Sequence, residues 1–378
     1  MRVLMTGGGT GGHVNPALAI ADTIRQNDPT AEIAYVGTHH GIESKLVPAA
    51  GYPLYFVEIQ GIRRSFSLSN LKTAYLTLTS PHKAKKILRE FQPDLVVGTG
   101  GYVSWPVVRA AAQMGIPTAL HESNAVPGVA VRMLASKVDR IYLNFEETGA
   151  ALGGGEKLLR VGNPILHPRA VIDRESARRA LGIPDRYRYF ILSYGGSMGA
   201  ERLNYATLRL MRDFTARHPE VYHLHATGSI EWELCGSWFR EMGLDQYENI
   251  KLVEYIYDMP EQMAAADLVI CRAGAMTVSE LAIAGKCAIF IPSPNVTDNH
   301  QYRNAKVLVD AGAASLFEEK ELEGTDAAPL TARAAYLLSP EGEAERRRME
   351  EAIRAFAVPD ANRRIYFDLV ELVKKKKK

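Results

Sequence analysis

The 378-residue chain has only three cysteines, Cys235, Cys271 and Cys287. They are scattered, without metal-ligand spacing. That excludes a disulfide scaffold and reads as reduced thiols of a cytosolic protein. No uninterrupted apolar run approaches the roughly 20 residues needed to span a bilayer, so any membrane contact is expected to be peripheral. The chain opens directly on an apolar strand, and no signal peptide is expected. A net charge of +2 gives no support to a nucleic-acid partner. No Asp-x-Asp pair occurs, the spacing that commonly holds a divalent metal against a diphosphate. Any diphosphate is then expected to be neutralised by helix ends and backbone N–H groups, and no metal site is read.

What is present is enough for two cores. The length exceeds that of one ordinary domain, and 47% hydrophobic with 23% charged residues describes a globular chain. Short apolar strands alternate with helical stretches. The first half has candidate strands Val3–Met5, Ile33–Val36, Leu95–Val97, Thr118–His121, Arg140–Leu143 and Leu159–Val161. The second has Phe190–Tyr194, His223–Ala226, Lys251–Val253, Leu268–Cys271, Ala288–Ile291 and Ala314–Phe317. This βαβ rhythm predicts two parallel sheets, each covered on both faces, with ligands beyond the carboxyl ends of the strands. The stretch from Gly162 to about Arg188 reads as a connector. The end of the chain reads as an amphipathic Glu343–Phe356, a last helix over Asn362–Val373 and a solvated lysine run, Lys374–Lys378.

Two glycine-rich turns organise the pattern. Gly7-Gly8-Gly9-Thr10-Gly11-Gly12-His13 follows the first strand, and Arg272-Ala273-Gly274-Ala275-Met276-Thr277 follows Leu268–Cys271. A strand–turn–helix presents N–H groups and a positive helix end, which suits phosphate, and two such turns suggest two phosphate-bearing ligands. The first turn does not fit the dinucleotide fingerprint: His follows the last glycine, and Ile33–Val36 runs into Gly37-Thr38 with no ribose-binding acid.

Each polar candidate has a bland reading beside its chemical one. His13 either takes a proton from a hydroxyl or bonds its own loop. Thr10 either meets phosphate or caps the turn. Glu122 and Asn124, at the end of a buried strand, either bind ligand or pin the loop. Glu280, read in the first turn of a helix, is either dipole-stabilised or a carboxylate for the two hydroxyls of a ribose. Ser197 either bonds a diphosphate or ends a strand, and Asp298–Tyr302 is either sugar-binding or a polar helix start. Leu68, Leu71, Tyr75 and Leu78 recur near helical spacing among Arg63, Arg64, Lys72, Lys83, Lys85, Lys86 and Arg89. That pattern fits either a core-packing helix beside a solvated basic one or an anionic lipid surface.

Gly8-Gly9-Thr10-Gly11-Gly12-His13-Val14-Asn15-Pro16-Ala17-Leu18 resembles the first signature of the MurG family, bacterial N-acetylglucosaminyltransferases that convert lipid I to lipid II in peptidoglycan synthesis. Five further stretches resemble the family in order: Gly100–Ser104, His121–Asn124, Gly162-Asn163-Pro164, Gly195–Ala200, and Arg272–Glu280 with Asn299-His300-Gln301. The resemblance runs from residue 1 to about residue 318. It implies an α/β fold of GT-B type, two doubly wound Rossmann-like domains facing across a cleft. Residues 1–163 would take the acceptor and membrane, 164–355 would take UDP-N-acetylglucosamine, and 356–378 would form a C-terminal helix and lysine tail.

The implied reaction is an inverting transfer of N-acetylglucosamine to the 4-hydroxyl of MurNAc-pentapeptide on undecaprenyl diphosphate, with no cofactor. It would serve cell-wall building, cell shape and division at the cytoplasmic face of the membrane, with an anionic inner leaflet and a cell-wall synthesis complex as partners beyond the substrates. His13 would be the base, with Asn124 a positioning group or rival. Thr10, Gly11, Gly12, Asn124, Arg169, Ser197, the Ile256 backbone, Ala275, Met276, Thr277, Glu280, His300 and Gln301 would hold the donor. Gly8, Gly9, Gly100, Gly101, Tyr102, Ser104 and Glu122 would hold the acceptor, and Arg63, Arg64, Leu68, Leu71, Lys72 and Tyr75 would meet the membrane. One departure stands out. The family usually sets an Arg just after Gly-Asn-Pro; here Ile165, Leu166, His167 and Pro168 intervene before Arg169. A galactolipid synthase or a UDP-sugar epimerase of the same fold are the alternatives.

Overall fold

The computed structural model describes residues 1–60, 69–166, 172–322 and 328–377. The chain divides into two compact units, Met1–Pro168 with Val358–Lys378, and Arg169–Ala357.

The first unit holds seven parallel strands: β1 Arg2–Thr6, β2 Glu32–Gly37, β3 Leu54–Phe56, β4 Leu95–Gly98, β5 Thr118–Glu122, β6 Arg140–Leu143 and β7 Leu158–Arg160. Their order is β3-β2-β1-β4-β5-β6-β7. The inner strands read as unbroken apolar runs because both faces are covered. Alternate residues feed two cores. Val3, Met5, Leu95 and Val97 meet Ala17, Ile20 and Ile24 of the helix Gly11–Asn27. Leu4, Val96 and Leu120 meet Ala84 and Leu88 of the helix Ser69–Phe91 and Val107 and Val108 of the helix Ser104–Gln113.

The last helix, Ala361–Lys377, completes the first of these cores through Ile365, Leu369, Leu372 and Val373. Its Asp368 accepts from Arg140 Nε and from the Tyr142 hydroxyl, each at 2.8 Å. The helix continues into the lysine run, where Lys376 reaches Asp139 at 2.9 Å.

The second unit holds six parallel strands: β8 Tyr189–Tyr194, β9 Val221–Ala226, β10 Ile250–Val253, β11 Leu268–Cys271, β12 Ala288–Phe290 and β13 Ser315–Leu316. Their order is β10-β9-β8-β11-β12-β13. Each sheet therefore reverses direction of growth once, between β1 and β4 and between β8 and β11. Ligands of doubly wound sheets sit at the carboxyl ends of the strands beside such a switch point.

The sequence reading is corrected in two places. The edge strand β3 was not anticipated, because its three residues are only partly buried and carry no long apolar run. The stretch before Arg188 is more than a connector. Residues 174–180 form a helix, Arg174–Ala180, which Asp173 caps by accepting from the Ser176 N–H. Arg174 then grips Asp267 with Nε and Nη2 at 2.8 and 3.0 Å, and the same carboxylate accepts from the Phe190 N–H. This segment is tied into the second unit.

Candidate functional site

In the first unit, the loops after β1 and β4 interlock at the switch point. A Cβ on Gly7 would stand 2.1 Å from Thr99 Oγ1, and one on Gly101 would stand 2.2 Å from the Gly8 carbonyl oxygen. Gly9 and Gly101 also have φ of +87° and +75°. Glycine is required here by contact and by backbone conformation together. Across Gly9 lies the ring of Tyr102.

His13 stands in the first turn of its helix, half-buried, with Nδ1 2.9 Å from the Thr99 carbonyl oxygen. A carbonyl only accepts, so Nδ1 carries the proton and Nε2 is the basic nitrogen of the neutral ring. The Thr99 hydroxyl donates back to the His13 carbonyl at 2.6 Å, which fixes the ring's base. Gly100 leaves room for it: a Cβ there would lie 2.8 Å from Nδ1. Thr10 occupies the N-cap position, exposed, with no side-chain capping bond. Gly11 and Gly12 open the same helix.

The pinning alternative describes two expected acceptor residues. Glu122 is buried, and its oxygens accept from the Asn124 N–H, the Asn124 amide and the Gly128 N–H at 3.0, 3.2 and 2.8 Å. Burial raises its carboxyl above the usual range even so. Ser104 donates to the Gly101 carbonyl at 2.9 Å and is also buried. Their polar atoms hold loops, and Asn124 stands half-exposed on the loop that Glu122 supports. His121, just behind, bonds the Gly162 carbonyl through Nε2 at 3.0 Å, and burial pushes its pKa down to about 4.

The sequence reading missed the carboxylate beneath the first loop. Glu43 is fully buried and accepts from the Gly9 N–H at 3.1 Å and from the Thr38 N–H and hydroxyl at 3.0 and 2.7 Å. A Cβ on Gly8, Gly37 or Gly41 would strike it. Tyr35 donates to the Gly7 carbonyl from the other side at 2.7 Å. The stretch Gly37-Thr38-His39-His40-Gly41-Ile42-Glu43 offered only two glycines near an acid, too weak a signal to set it apart from a surface turn.

In the second unit, the loop Gly195–Ala200 is buttressed by the loop after β9. Gly199 and Gly228 touch so closely that a Cβ on Gly228 would fall 2.1 Å from Gly199 N. Ser229 and Ile230 donate backbone N–H bonds to Ser197 and Met198 at 3.1 and 3.2 Å. Ser197 is left exposed, and Ile256 is buried on the loop after β10. The helix Ala275–Ala284 begins at N-cap Gly274 with no side-chain cap and no acid in its first turn. Ala275, Met276 and Thr277 form that turn.

Glu280 therefore lies beyond the first turn, which corrects the dipole reading. It is half-buried, makes no hydrogen bond to a described group, and is held at about 7 by loss of solvent. The helix His300–Asp310 is entered through Asp298 and Asn299, both left-handed at φ +55° and +51°. Such strain in non-glycine residues gathers at functional sites. His300 Nδ1 donates to the Thr297 carbonyl at 2.8 Å, and the Gln301 side-chain oxygen accepts from the Ser293 N–H at 2.9 Å.

Arg63, Arg64, Leu68 and Arg169 lie outside the described residues. Leu71 and Lys72 fall on the helix that starts at Ser69, and Tyr75 on the same helix is 66% exposed. No helix among the described residues is long and apolar enough to cross a membrane.

Two doubly wound units with glycine turns at both switch points define a class. Residues 3–143 match the glycosyltransferase family 28 N-terminal domain and residues 190–358 match the glycosyltransferase family 28 C-terminal domain, so this is a two-domain glycosyltransferase. The UDP-N-acetylglucosamine–N-acetylmuramyl-(pentapeptide) pyrophosphoryl-undecaprenol N-acetylglucosamine transferase of an Exiguobacterium species is 39% identical over 99% of both chains. That of Acetivibrio thermocellus is 41% identical over 85% of this chain and 86% of its own. The crystal structure of Acinetobacter baumannii MurG superposes with a TM-score of 0.77, at 28% identity, over 98% of this chain and 99% of that one. The chain belongs to the MurG family. A UDP-GlcNAc 2-epimerase from Neisseria meningitidis, 14% identical with a TM-score of 0.67 over 99% of this chain and all of that one, shares the fold alone.

Proposed function

We propose that the second unit binds UDP-N-acetylglucosamine at Glu280 and that the first unit carries the base that activates the acceptor. The overall reaction is the lipid I to lipid II transfer. The observation that carries the reading is Glu280, a half-buried carboxylate without a hydrogen-bond partner among the described residues, one turn inside a helix that no side chain caps. A carboxylate there accepts both hydroxyls of a ribose. The helix N-terminus beside it stabilises the diphosphate and the charge that grows on departing UDP. Ser197, the Ile256 backbone, His300 and Gln301 complete the donor contacts.

In the first unit, His13 Nε2 takes the proton of the sugar 4-hydroxyl as that oxygen attacks the anomeric carbon. One displacement on an α-linked donor gives the inverted β(1→4) product. Asn124 positions the acceptor, and Glu122 holds Asn124. Tyr102 and the glycines at 8, 9, 100 and 101 form the acceptor floor. The protein acts at the membrane surface through the basic stretch from Arg63 to Tyr75, within reach of its lipid-linked acceptor.

The test is UDP release with UDP-N-acetylglucosamine and a short-chain lipid I analogue. Release should require the acceptor, and His13→Ala should lower kcat by about 10²–10⁴. Acceptor-independent release would overturn the transfer, and full activity in His13→Ala would remove the base.

A further inference from the structure

The end of β8 carries a second polar group whose place is unexplained by packing. Tyr194 is the last residue of that strand and precedes the glycine loop directly. It is 8% exposed, and among the described residues its hydroxyl makes no hydrogen bond of good geometry. Leaving a buried hydroxyl unpaired is destabilising, so native structures rarely do it without a reason.

The neighbours supply the reason. Tyr194 pairs in register with Cys271 at the end of β11, so both side chains leave the same face of the sheet. Over that face runs the helix Ala275–Ala284. Its Thr277 and Glu280, three residues apart, lie on one side of it. Tyr194 lies within hydrogen-bonding reach of Thr277 and Cys271 and feels the charge of Glu280. The titratable groups facing Glu280 are Tyr194 on β8 and Cys271 on β11. A buried donor and a half-buried acceptor thus stand near each other, unjoined, at the switch point of the second sheet.

We propose that Tyr194 is a positioning residue for the donor: when a nucleoside-diphosphate sugar occupies the second unit, the phenol donates its hydrogen bond to the Glu280 carboxylate and aims it at the ribose. This rests on the reading of Glu280 as the ribose acceptor. It explains why a phenol, not phenylalanine, ends a strand whose other side chains are buried. The hydroxyl gains a well-aligned charged acceptor when Glu280 is ionised and engaged. The bond favours the charged carboxylate, the form that accepts from ribose.

The experiment is calorimetric titration of wild type and Tyr194→Phe with UDP-N-acetylglucosamine from pH 6 to 9, alongside melting curves of the ligand-free proteins. The ligand's diphosphate does not titrate in that range. Affinity should weaken about fivefold to tenfold in the variant, and the pH midpoint of binding should move upward. The ligand-free melting temperature should stay the same or rise, because an orphaned hydroxyl has been removed. Unchanged affinity and midpoint in Tyr194→Phe would overturn the proposal while leaving the donor site intact. Weakened binding that only tracks a lowered melting temperature would also overturn it, as a packing effect. If the wild type does not bind the ligand, the donor reading itself falls, and this inference with it.

Discussion

Glu280 shows how one carboxylate sets both stability and pH response. Its pKa of about 7 lies above the ordinary 4.5, and loss of solvent is the cause. Folding therefore takes up a proton between those values, and ligand-free stability falls as pH rises through the same window. Above pH 7 the half-buried charge costs roughly 3 kcal/mol. Ribose hydroxyls would offset that cost by donating to it. Glu280→Gln should therefore melt higher than wild type at pH 8 without ligand, yet bind UDP-N-acetylglucosamine about 10- to 100-fold more weakly. Wild-type affinity should strengthen from pH 6 to pH 8, and the variant's should stay flat. Calorimetry across that range checks both, and a variant that binds like wild type would remove Glu280 from the site.

At the scale of elements, the second sheet is stitched by a chain of polar groups with no solvent access. The Ser193 hydroxyl lies 2.9 Å from both His223 Nε2 and His225 Nδ1. His225 Nε2 meets the Asn204 side-chain oxygen at 3.1 Å, and Thr215 meets His223 Nδ1 at 3.1 Å. Burial lowers both imidazoles, His225 to about 4, so they stay neutral in the fold. The unfolded chain protonates them near pH 6.5. Their contribution is complete above that value and is lost as pH falls toward 4, by roughly 3 kcal/mol for His225 alone. Melting temperature should drop steadily over pH 6.5 to 4, and His225→Gln should flatten part of the slope. A melting temperature that stays level over that range would contradict the neutral assignment.

These elements also mark what a sequence can tell. Twelve of the strands were legible as short apolar stretches in a βαβ rhythm, most plainly the inner ones, which are buried on both faces. The strand β3 was not, since its residues are half-covered at a sheet edge. The glycine turns and His13 stood out by spacing alone. Glu43, Tyr35 and Tyr194 did not, because an acid in a loop and a tyrosine in a strand read as surface and core. Only the fold brings the first two beneath one loop and the third beside Glu280.

For the whole molecule, the chain's end completes its beginning. The helix Ala361–Lys377 follows the entire second unit in sequence, yet it packs on β1 and the helix Gly11–Asn27 in the first. Asn362 fastens its start, donating to Thr23 Oγ1 and the Ile165 carbonyl at 3.0 Å each and accepting from the Ile165 N–H at 2.9 Å. Leu369 is fully buried at its centre. The first unit is thus discontinuous in sequence, and its core cannot close until the last residues are made. The second unit has its own core and carries all the residues proposed for the donor that lie in the described part of the chain. Leu369→Ala should therefore destabilise the first unit by about 2–5 kcal/mol. Acceptor-dependent turnover at 37 °C should fall with it, while UDP-N-acetylglucosamine affinity at 20 °C stays within about twofold of wild type, since sites far from a change respond nearly independently. A melting curve followed by the two measurements separates the effects. Equal loss of donor binding would mean that the last helix supports the donor unit as well.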